Sequence, residues 1–287
     1  MKSIGIIANL TKEGASKAVS EVSDWLHNKG IQPLITQDCI DTTGCNGFAV
    51  TDREELASKS HCIIVFGGDG TLLNASRITG AEKVPILAVN IGSLGFLTEL
   101  TIDELYQSLT KVINGDYQID ERMMLTSNVG TDNEIEFTST ALNDAVISKE
   151  PFSKIILLES YIDGEHVATY RADGLIIATP SGSTAYSLSA GGPIVHPNMD
   201  AFILTPICPH ALSLRPHIVS ADSKISVLVK AVHGDVMLTI DGQEAFELYP
   251  GALVEIKKAV KTIKLIRSQR RSYYEVLRTK LKWGGKD

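Results

Sequence analysis

The sequence predicts an open α/β domain, then an all-β, sandwich-like domain, then a short closing helix. Three observations carry this. Up to Gly115, short apolar runs alternate with segments whose apolar residues recur at helical spacing. Beyond Gly115, apolar runs of strand length follow one another with turn residues between them. After Ser268 the helical spacing returns. The expected boundaries are therefore 1–115, 116–267 and 268–287.

In the first region, Ile4 to Ala8 predicts a strand. Ala18, Val19, Val22, Trp25 and Leu26 form a helical stripe, and Gly30 stands where a C-terminal cap belongs. Ile31 to Ile35 predicts the next strand, and Gln37 to Val50, with Gly44, Asn46 and Gly47, a flexible loop. Thr51-x-x-Glu54 reads as a capping box. Cys62 to Phe66 is an unbroken apolar run, the pattern of a parallel strand covered on both faces. It ends in Gly67-Gly68-Asp69-Gly70, and a helix is expected from Leu72. Val84 to Val89 gives another buried strand. Thr101-x-x-Glu104 caps a helix carrying Leu105, Leu109, Val112 and Ile113, ended by Gly115.

In the second region, strands are expected at Met123 to Val129, Ile135 to Ile147, Ile155 to Ile162, Val167 to Tyr170 and Leu175 to Ala178. Further strands are expected at Ile225 to Val232, Val236 to Ile240 and Leu253 to Ile266. Asp163-Gly164 is a hairpin signal and Pro250-Gly251 a turn. Ser272-x-x-Glu275 is a capping box for the last helix, with Tyr274, Leu277 and Leu281 on one face.

At 287 residues the chain exceeds the usual single-domain size, which favours this division. A net charge of −7 argues against a nucleic-acid partner. No apolar run approaches the roughly 20 residues that span a bilayer. Met1-Lys2-Ser3-Ile4 enters a strand pattern at once, so a cytoplasmic chain without a leader is expected. Cys39, Cys45, Cys62 and Cys208 contain no CxxC pair; Cys62 reads as an inert buried thiol, and Cys39 and Cys45 as reduced.

Gly67-Gly68-Asp69-Gly70-Thr71 sits between a strand and a helix, where α/β sheets place ligands. Glycines let the backbone approach a polyphosphate, and a helix N-terminus supplies N–H donors, so an acidic chain can still bind phosphate. An aspartate among phosphates would be repelled unless it accepts a proton or works with a metal. The alternative is a tight turn with Asp69 as a helix cap. GxxxxGK[ST] is absent, which argues against an ordinary Walker site. From Ala172 to Pro193 an apolar strand runs into a loop of small hydroxyl residues, suited to ribose or phosphate. His196, His210, His217 and His233 lack metal-ligand spacing, and neither Ser183 nor Ser187 sits in a GxSxG elbow. Lys257, Lys258, Lys261 and Lys264 read as a solvated strand edge. Arg267, Arg270 and Arg271 are open to two readings, a phosphate attractor or a solvated turn.

In this order, GGDGT, Asn143-Asp144, ADGLIIATPSGSTAYSLSAGGP and Asp241-Gly242-Gln243 resemble the NAD kinase family over nearly the whole chain. GGDGT alone also occurs in diacylglycerol and sphingosine kinases; the long glycine-serine segment is the specific part. The resemblance implies a Rossmann-like first domain, an NAD-binding β domain and a C-terminal tail returning to the first domain. It implies transfer of the γ-phosphoryl group of ATP, or of polyphosphate, to the 2′-hydroxyl of the adenosine ribose of NAD. Mg²⁺ would bridge the donor phosphates, and the chain would form a homodimer or homotetramer. Asp69 matches the proton acceptor and Gly70 its neighbour in the turn. Asn143 and Asp144 match the pair that contacts the dinucleotide, and Asp173 the aspartate at the nicotinamide end. Thr184, Ala185, Tyr186 and Ser189, with Ser187 and Leu188 between them, match the loop that packs on bases and ribose. Lys154, Arg171 and Gln243 match less distinctive binding positions. Ser181 replaces the usual Thr, and Asn74 stands where many members carry a basic residue. Two rivals remain: a lipid or sphingoid-base kinase sharing the turn, and a non-catalytic dinucleotide sensor.

Overall fold

The unbroken apolar runs of the N-terminal region become parallel strands with helices on both faces. The structure is a computed structural model that describes residues 1–45, 49–50, 52–79, 84–131, 134–151, 153–231, 236–267 and 270–283. It divides into Met1–Glu121 with Ile263–Asp287, and Arg122–Thr262. The elements of the first stretch are β1 (Ser3–Ala8), α1 (Ala15–Asn28), β2 (Gln32–Ile35), α2 (Gln37–Thr43), β3 (Ala49–Val50) and α3 (Arg53–Lys59). They continue with β4 (Cys62–Gly67), α4 (Asp69–Thr79), β5 (Ile86–Asn90), β6 (Leu100–Thr101) and α5 (Leu105–Ile113).

In the first unit the strands run β5-β4-β1-β2-β3, all parallel. Alternate residues face opposite helical layers. Ile4, Ile6, Ile64 and Phe66 pack with Val19, Val22 and Leu26 of α1 and Leu105 and Leu109 of α5. On the other face a Cβ added to Gly5 would meet Leu56 of α3. Cys62 to Phe66 are fully buried, as a strand covered on both sides requires. Burial pushes the Cys62 thiol up to about 12, so it stays protonated and inert. Cys39 and Cys45 are free and buried.

Two expectations about this region change. The segment read as a loop from Gln37 holds α2, whose seven residues give only two turns and hide their period. It closes at Gly44 with φ 70°, and Cys39 packs on the core. Thr51 lies outside the described residues; α3 is capped by Asp52, which accepts from the Glu55 amide at 2.7 Å.

The second stretch comprises β7 (Ile119–Thr131), β8 (Glu134–Ala141), β9 (Asp144–Lys149), β10 (Ile156–Ile162), β11 (Glu165–Ala172) and β12 (Gly174–Ala178). It continues with α6 (Tyr186–Ser189), β13 (Ala201–Ile207), β14 (His217–Ser220), β15 (Ile225–Ala231), β16 (Val236–Ile240), β17 (Glu244–Leu248) and β18 (Leu253–Ile266). One sheet has the order β14-β13-β12-β9-β16-β17 and is antiparallel throughout. The other contains β11-β10-β15-β18, with β7 paired to β8. Their inner faces share one core, in which Ile147, Ile177, Phe202 and Leu238 meet Leu158, Tyr170, Val227 and Val254. This is the expected sandwich. The single strand expected from Ile135 to Ile147 is two, β8 and β9, interrupted at Leu142-Asn143. Asp163-Gly164 forms the hairpin turn, both residues at positive φ.

The division between the units falls inside β7 and β18. The tail from Ile263 belongs to the first unit. Leu265 pairs with Ile86, and α7 (Tyr273–Leu281) opens with the Ser272/Glu275 capping box. Arg271 forks onto both oxygens of Glu104, at 2.8 and 2.9 Å, and also donates to the Glu99 carbonyl. Arg271 is thus an anchor, neither a phosphate attractor nor a solvated turn. Burial alone would raise the Glu104 carboxyl, but hydrogen bonds from Arg271 and Thr101 outweigh it and hold the group low. The buried helical face is Val276 and Leu277; Tyr274, expected in the stripe, is 60% exposed. No helix among the described residues is long and apolar enough to cross a membrane.

Leu277→Ala should therefore cost about 2–5 kcal/mol of stability, whereas Tyr274→Ala should cost under about 1. Urea denaturation of the two variants measures this directly. Equal losses would contradict the assigned face.

Candidate functional site

The first constellation stands at the C-terminal ends of β1, β4 and β5. β1 has β2 on one side and β4 on the other, so the strand order reverses between β1 and β4. Such a reversal opens a crevice where doubly wound sheets bind ligands. The turn 67–70 leaves β4 there. The Gly67 carbonyl accepts from the Ile91 amide at 3.0 Å, and the Gly68 carbonyl accepts the first α4 amides. Asp69 opens α4, yet its carboxylate reaches outward rather than capping the helix. Oδ1 accepts from the Leu97 and Thr98 amides and the Thr98 hydroxyl at 3.0–3.1 Å. Among the described residues, Oδ2 accepts from the Phe96 amide alone, at 2.9 Å.

Thr98 gives its only hydroxyl proton to Asp69, so its oxygen accepts from Asn90 Nδ2 at 2.7 Å. That fixes the Asn90 amide and leaves Asn90 Oδ1 buried without a partner among the described residues. The approach is close enough to require Gly95, where an added Cβ would lie 2.1 Å from Asp69 Oδ1. At Gly70 the same addition meets nothing within 4 Å, so that glycine leaves room rather than relieving a clash.

The second constellation belongs to the second unit. Asp241, buried and at φ 51°, accepts from the amides of Leu142, Asn143 and Asp144 at 2.7–3.0 Å. This row of amides breaks the strand between β8 and β9 and turns Asn143 and Asp144 into a pocket of about 320 Å³. Ala185, Tyr186 and Gly242 also line it. The segment 181–184 lies against it because Gly182 has no side chain; a Cβ there would lie 2.1 Å from the Asn143 carbonyl. Asn143 Oδ1 is buried without a partner among the described residues. Burial first, and then the Asp241 carboxylate, push the Asp144 carboxyl up to about 7.

The structure therefore gathers Asn143, Asp144, Ala185 and Tyr186 around one pocket. Thr184 adjoins them, its hydroxyl donating to the Ser181 carbonyl. Leu188 is half-buried and Ser189 exposed on α6, and Ser187 is fully buried and bonded to Thr205. Gln243 is exposed in the β16–β17 turn. Arg171 and Lys154 are exposed. Asp173 lies 3.7 Å from Lys149, a partner that no motif indicated.

Two family models match in tandem: ATP-NAD kinase N-terminal domain over residues 4–117, and ATP-NAD kinase C-terminal domain over 142–268. The chain belongs to the NAD kinase family. It is 44% identical over 285 residues to the NAD kinase of Geotalea daltonii and 45% to that of Geobacter sulfurreducens. Each alignment covers 99% of both chains. In fold it is similar to yeast NADH kinase complexed with NADH, with a TM-score of 0.92 at 24% identity over 100% of this chain and 89% of that one. It is also similar to an Archaeoglobus fulgidus NAD kinase in complex with ATP, with a TM-score of 0.77 at 24% identity over 99% and 100%. The chain is accordingly a kinase, with the two domains of that family.

Family motifs point to Asp69 and Asn143 but not to the groups that hold them. Asp241 was visible as part of the Asp-Gly-Gln signature, without a role. Arg122 gave no sequence signal; it is buried in β7 and donates to Ser181 Oγ at 3.2 Å, which employs the hydroxyl that Ser181 shares with threonine. Asn90 ends β5 and Thr98 lies in the segment after it, and only the fold brings them to Asp69.

Two expected outcomes follow from these networks. Thr98→Val keeps the shape but removes the hydroxyl between Asn90 and Asp69. Turnover in NADP formation should fall about tenfold or more, since a misplaced reacting group loses the benefit of orientation; unchanged turnover would contradict a positioning role. The second concerns pH. The Asp144 carboxyl is raised in the folded state, so its contribution to stability is full below about pH 4 and is lost as pH rises towards 7. Asp144→Asn should gain on the wild type across that window and no further above it. Parallel stability curves from urea titrations at several pH values would count against it.

Proposed function

We propose that this chain transfers the γ-phosphoryl group of ATP, or of another polyphosphate donor, to the 2′-hydroxyl of NAD's adenosine ribose. The observation that carries the acceptor side is Asn143 Oδ1. A buried acceptor left unsatisfied costs about 1–3 kcal/mol, and a ribose hydroxyl supplies the missing donor. Asp144, holding its proton up to about pH 7, can donate where an ionised carboxylate cannot. Tyr186 offers a half-exposed ring for a base, and Thr184, Ser189, Asp173, Arg171, Lys154 and Gln243 complete the acceptor contacts. Polar groups of this kind suit a dinucleotide better than a lipid chain.

In the transfer, the 2′-oxygen forms a bond to the γ-phosphorus while the bond to the bridging oxygen breaks, and ADP leaves. The 2′-hydroxyl proton passes to Asp69 Oδ2, the oxygen that accepts one amide rather than three donors. A carboxylate held in this way among phosphate-facing groups favours an enzyme over a sensor. Among the described residues no cluster of three or more His, Cys, Asp or Glu side chains gathers to hold a metal. Asn90 Oδ1, a hard oxygen, is the group that would help hold a Mg²⁺ ion brought by the phosphate donor. When bound, the ion neutralises charge on the donor phosphates. A cytoplasmic homodimer or homotetramer completes the proposal.

Assaying Asp69→Asn and Asn143→Ala together tests it. Asp69→Asn should lose roughly 10²–10⁴-fold in turnover with NAD affinity kept. Asn143→Ala should weaken NAD by about 1–3 kcal/mol in calorimetry. Wild-type protein that makes no NADP from ATP, NAD and Mg²⁺ would overturn the reading.

A further inference from the structure

The loop after β1 carries a cation that none of the motifs includes. Asn9 Oδ1 accepts from both the amide and the hydroxyl of Thr11, at 3.1 and 2.7 Å. The Lys12 amide in turn donates to the Asn9 carbonyl. The Asn9 amide donates to the Phe66 carbonyl at 2.9 Å, tying this loop to the end of β4. So folded, the loop directs Lys12 across the strand ends. Lys12 Nζ donates to the Ile91 carbonyl at 2.9 Å, just beyond β5. A Cβ built on Gly68 would lie 3.2 Å from the same nitrogen. Lys12 thus bridges the ends of β1 and β5 directly over the glycine turn, at the point where the strand order reverses. An ammonium has three donor protons, and the Ile91 carbonyl takes one.

We propose that Lys12 binds the donor's polyphosphate chain above Gly68, supplying the positive charge that Asn74 lacks. This rests on the phosphoryl-transfer reading given above. In that reaction the bond between the γ-phosphorus and the bridging oxygen breaks, and negative charge grows on the departing β-phosphate as the 2′-oxygen bonds to phosphorus and its proton goes to Asp69. A fixed ammonium stabilises such charge without gaining or losing a proton itself. Asn74 is exposed on α4, one turn beyond Asp69, and is uncharged. Gly68 matters here because a side chain would separate Lys12 from the turn. ATP and inorganic tripolyphosphate share the recognised chemistry, so both serve as probes.

The test measures Lys12→Ala, Lys12→Gln and Lys12→Arg in the full chain, by steady-state kinetics and by calorimetric titration of inorganic tripolyphosphate. Removing the charge should raise KM for ATP or lower kcat by about ten- to a hundredfold, the scale of one charged hydrogen bond. KM for NAD should stay within about twofold, Lys12→Arg should recover most of the loss, and tripolyphosphate should bind the wild type but not Lys12→Gln. ATP binding without tripolyphosphate binding would mean that recognition rests on the nucleoside, against the proposal. A purely structural lysine would lower the melting temperature and affect NAD and ATP alike. Unchanged donor kinetics in folded Lys12→Gln would overturn the assignment to Lys12, whereas a wild type inactive with both donors would overturn the reading beneath it.

Discussion

The first unit's candidate site depends on one carboxylate satisfying a row of backbone amides. Asp69 belongs to the turn after β4, whereas Phe96, Leu97 and Thr98 belong to the segment after β5. Loops at the ends of neighbouring parallel strands have little to hold them together, because their polar backbone groups otherwise face water. Four hydrogen bonds to one charged group join them. The charge that would repel a phosphate is thereby partly spent on the protein's own N–H dipoles, and one oxygen is left with spare capacity.

The second unit solves the same problem in an antiparallel sheet. Asp241 sits in a tight turn at positive φ and gathers three consecutive amides from the break between β8 and β9. Without that acceptor the break would leave three buried donors unsatisfied, at about 1–3 kcal/mol each. The same arrangement bears on Asp144: burial first, and then the nearby Asp241 carboxylate, raise its carboxyl and favour the protonated form. One carboxylate organises the backbone so that its neighbour can serve as a hydrogen-bond donor.

What the sequence made legible follows from this division of labour. Periodicity exposed α1, β4, α5, the hairpin at Asp163-Gly164 and most strands of the second unit, but not β13, β14 or β17. It missed α2, too short to show a period. It also ran β8 and β9 together, because the break is made by Asp241, almost a hundred positions away. Glycine-rich motifs marked Asp69 and the 184–189 loop, since close approach and small hydroxyls leave a local trace. Asn90, Thr98, Lys12 and Arg122 act across distances that only the fold closes, so no local pattern revealed them. The tail's buried face was misjudged for a related reason. Tyr274, Leu277 and Leu281 satisfy helical spacing, but packing turns Val276 and Leu277 inward and leaves Tyr274 outside.

Overall charge and local chemistry are decoupled in this chain. Acidic residues outnumber basic ones, 34 to 27, and both constellations are built on carboxyl groups, but these are met by backbone amides rather than by a basic surface. Phosphoryl transfer asks for positioned dipoles and charge neutralisation rather than a strongly basic surface. Within each constellation one asparagine oxygen is buried without a partner among the described residues, Asn90 Oδ1 in the first unit and Asn143 Oδ1 in the second. Folding gains nothing from burying an unmatched acceptor. Each of these oxygens is an acceptor still open to a donor or cation from outside the chain, so at Asn90 and Asn143 the fold holds back an interaction that its own core does not use.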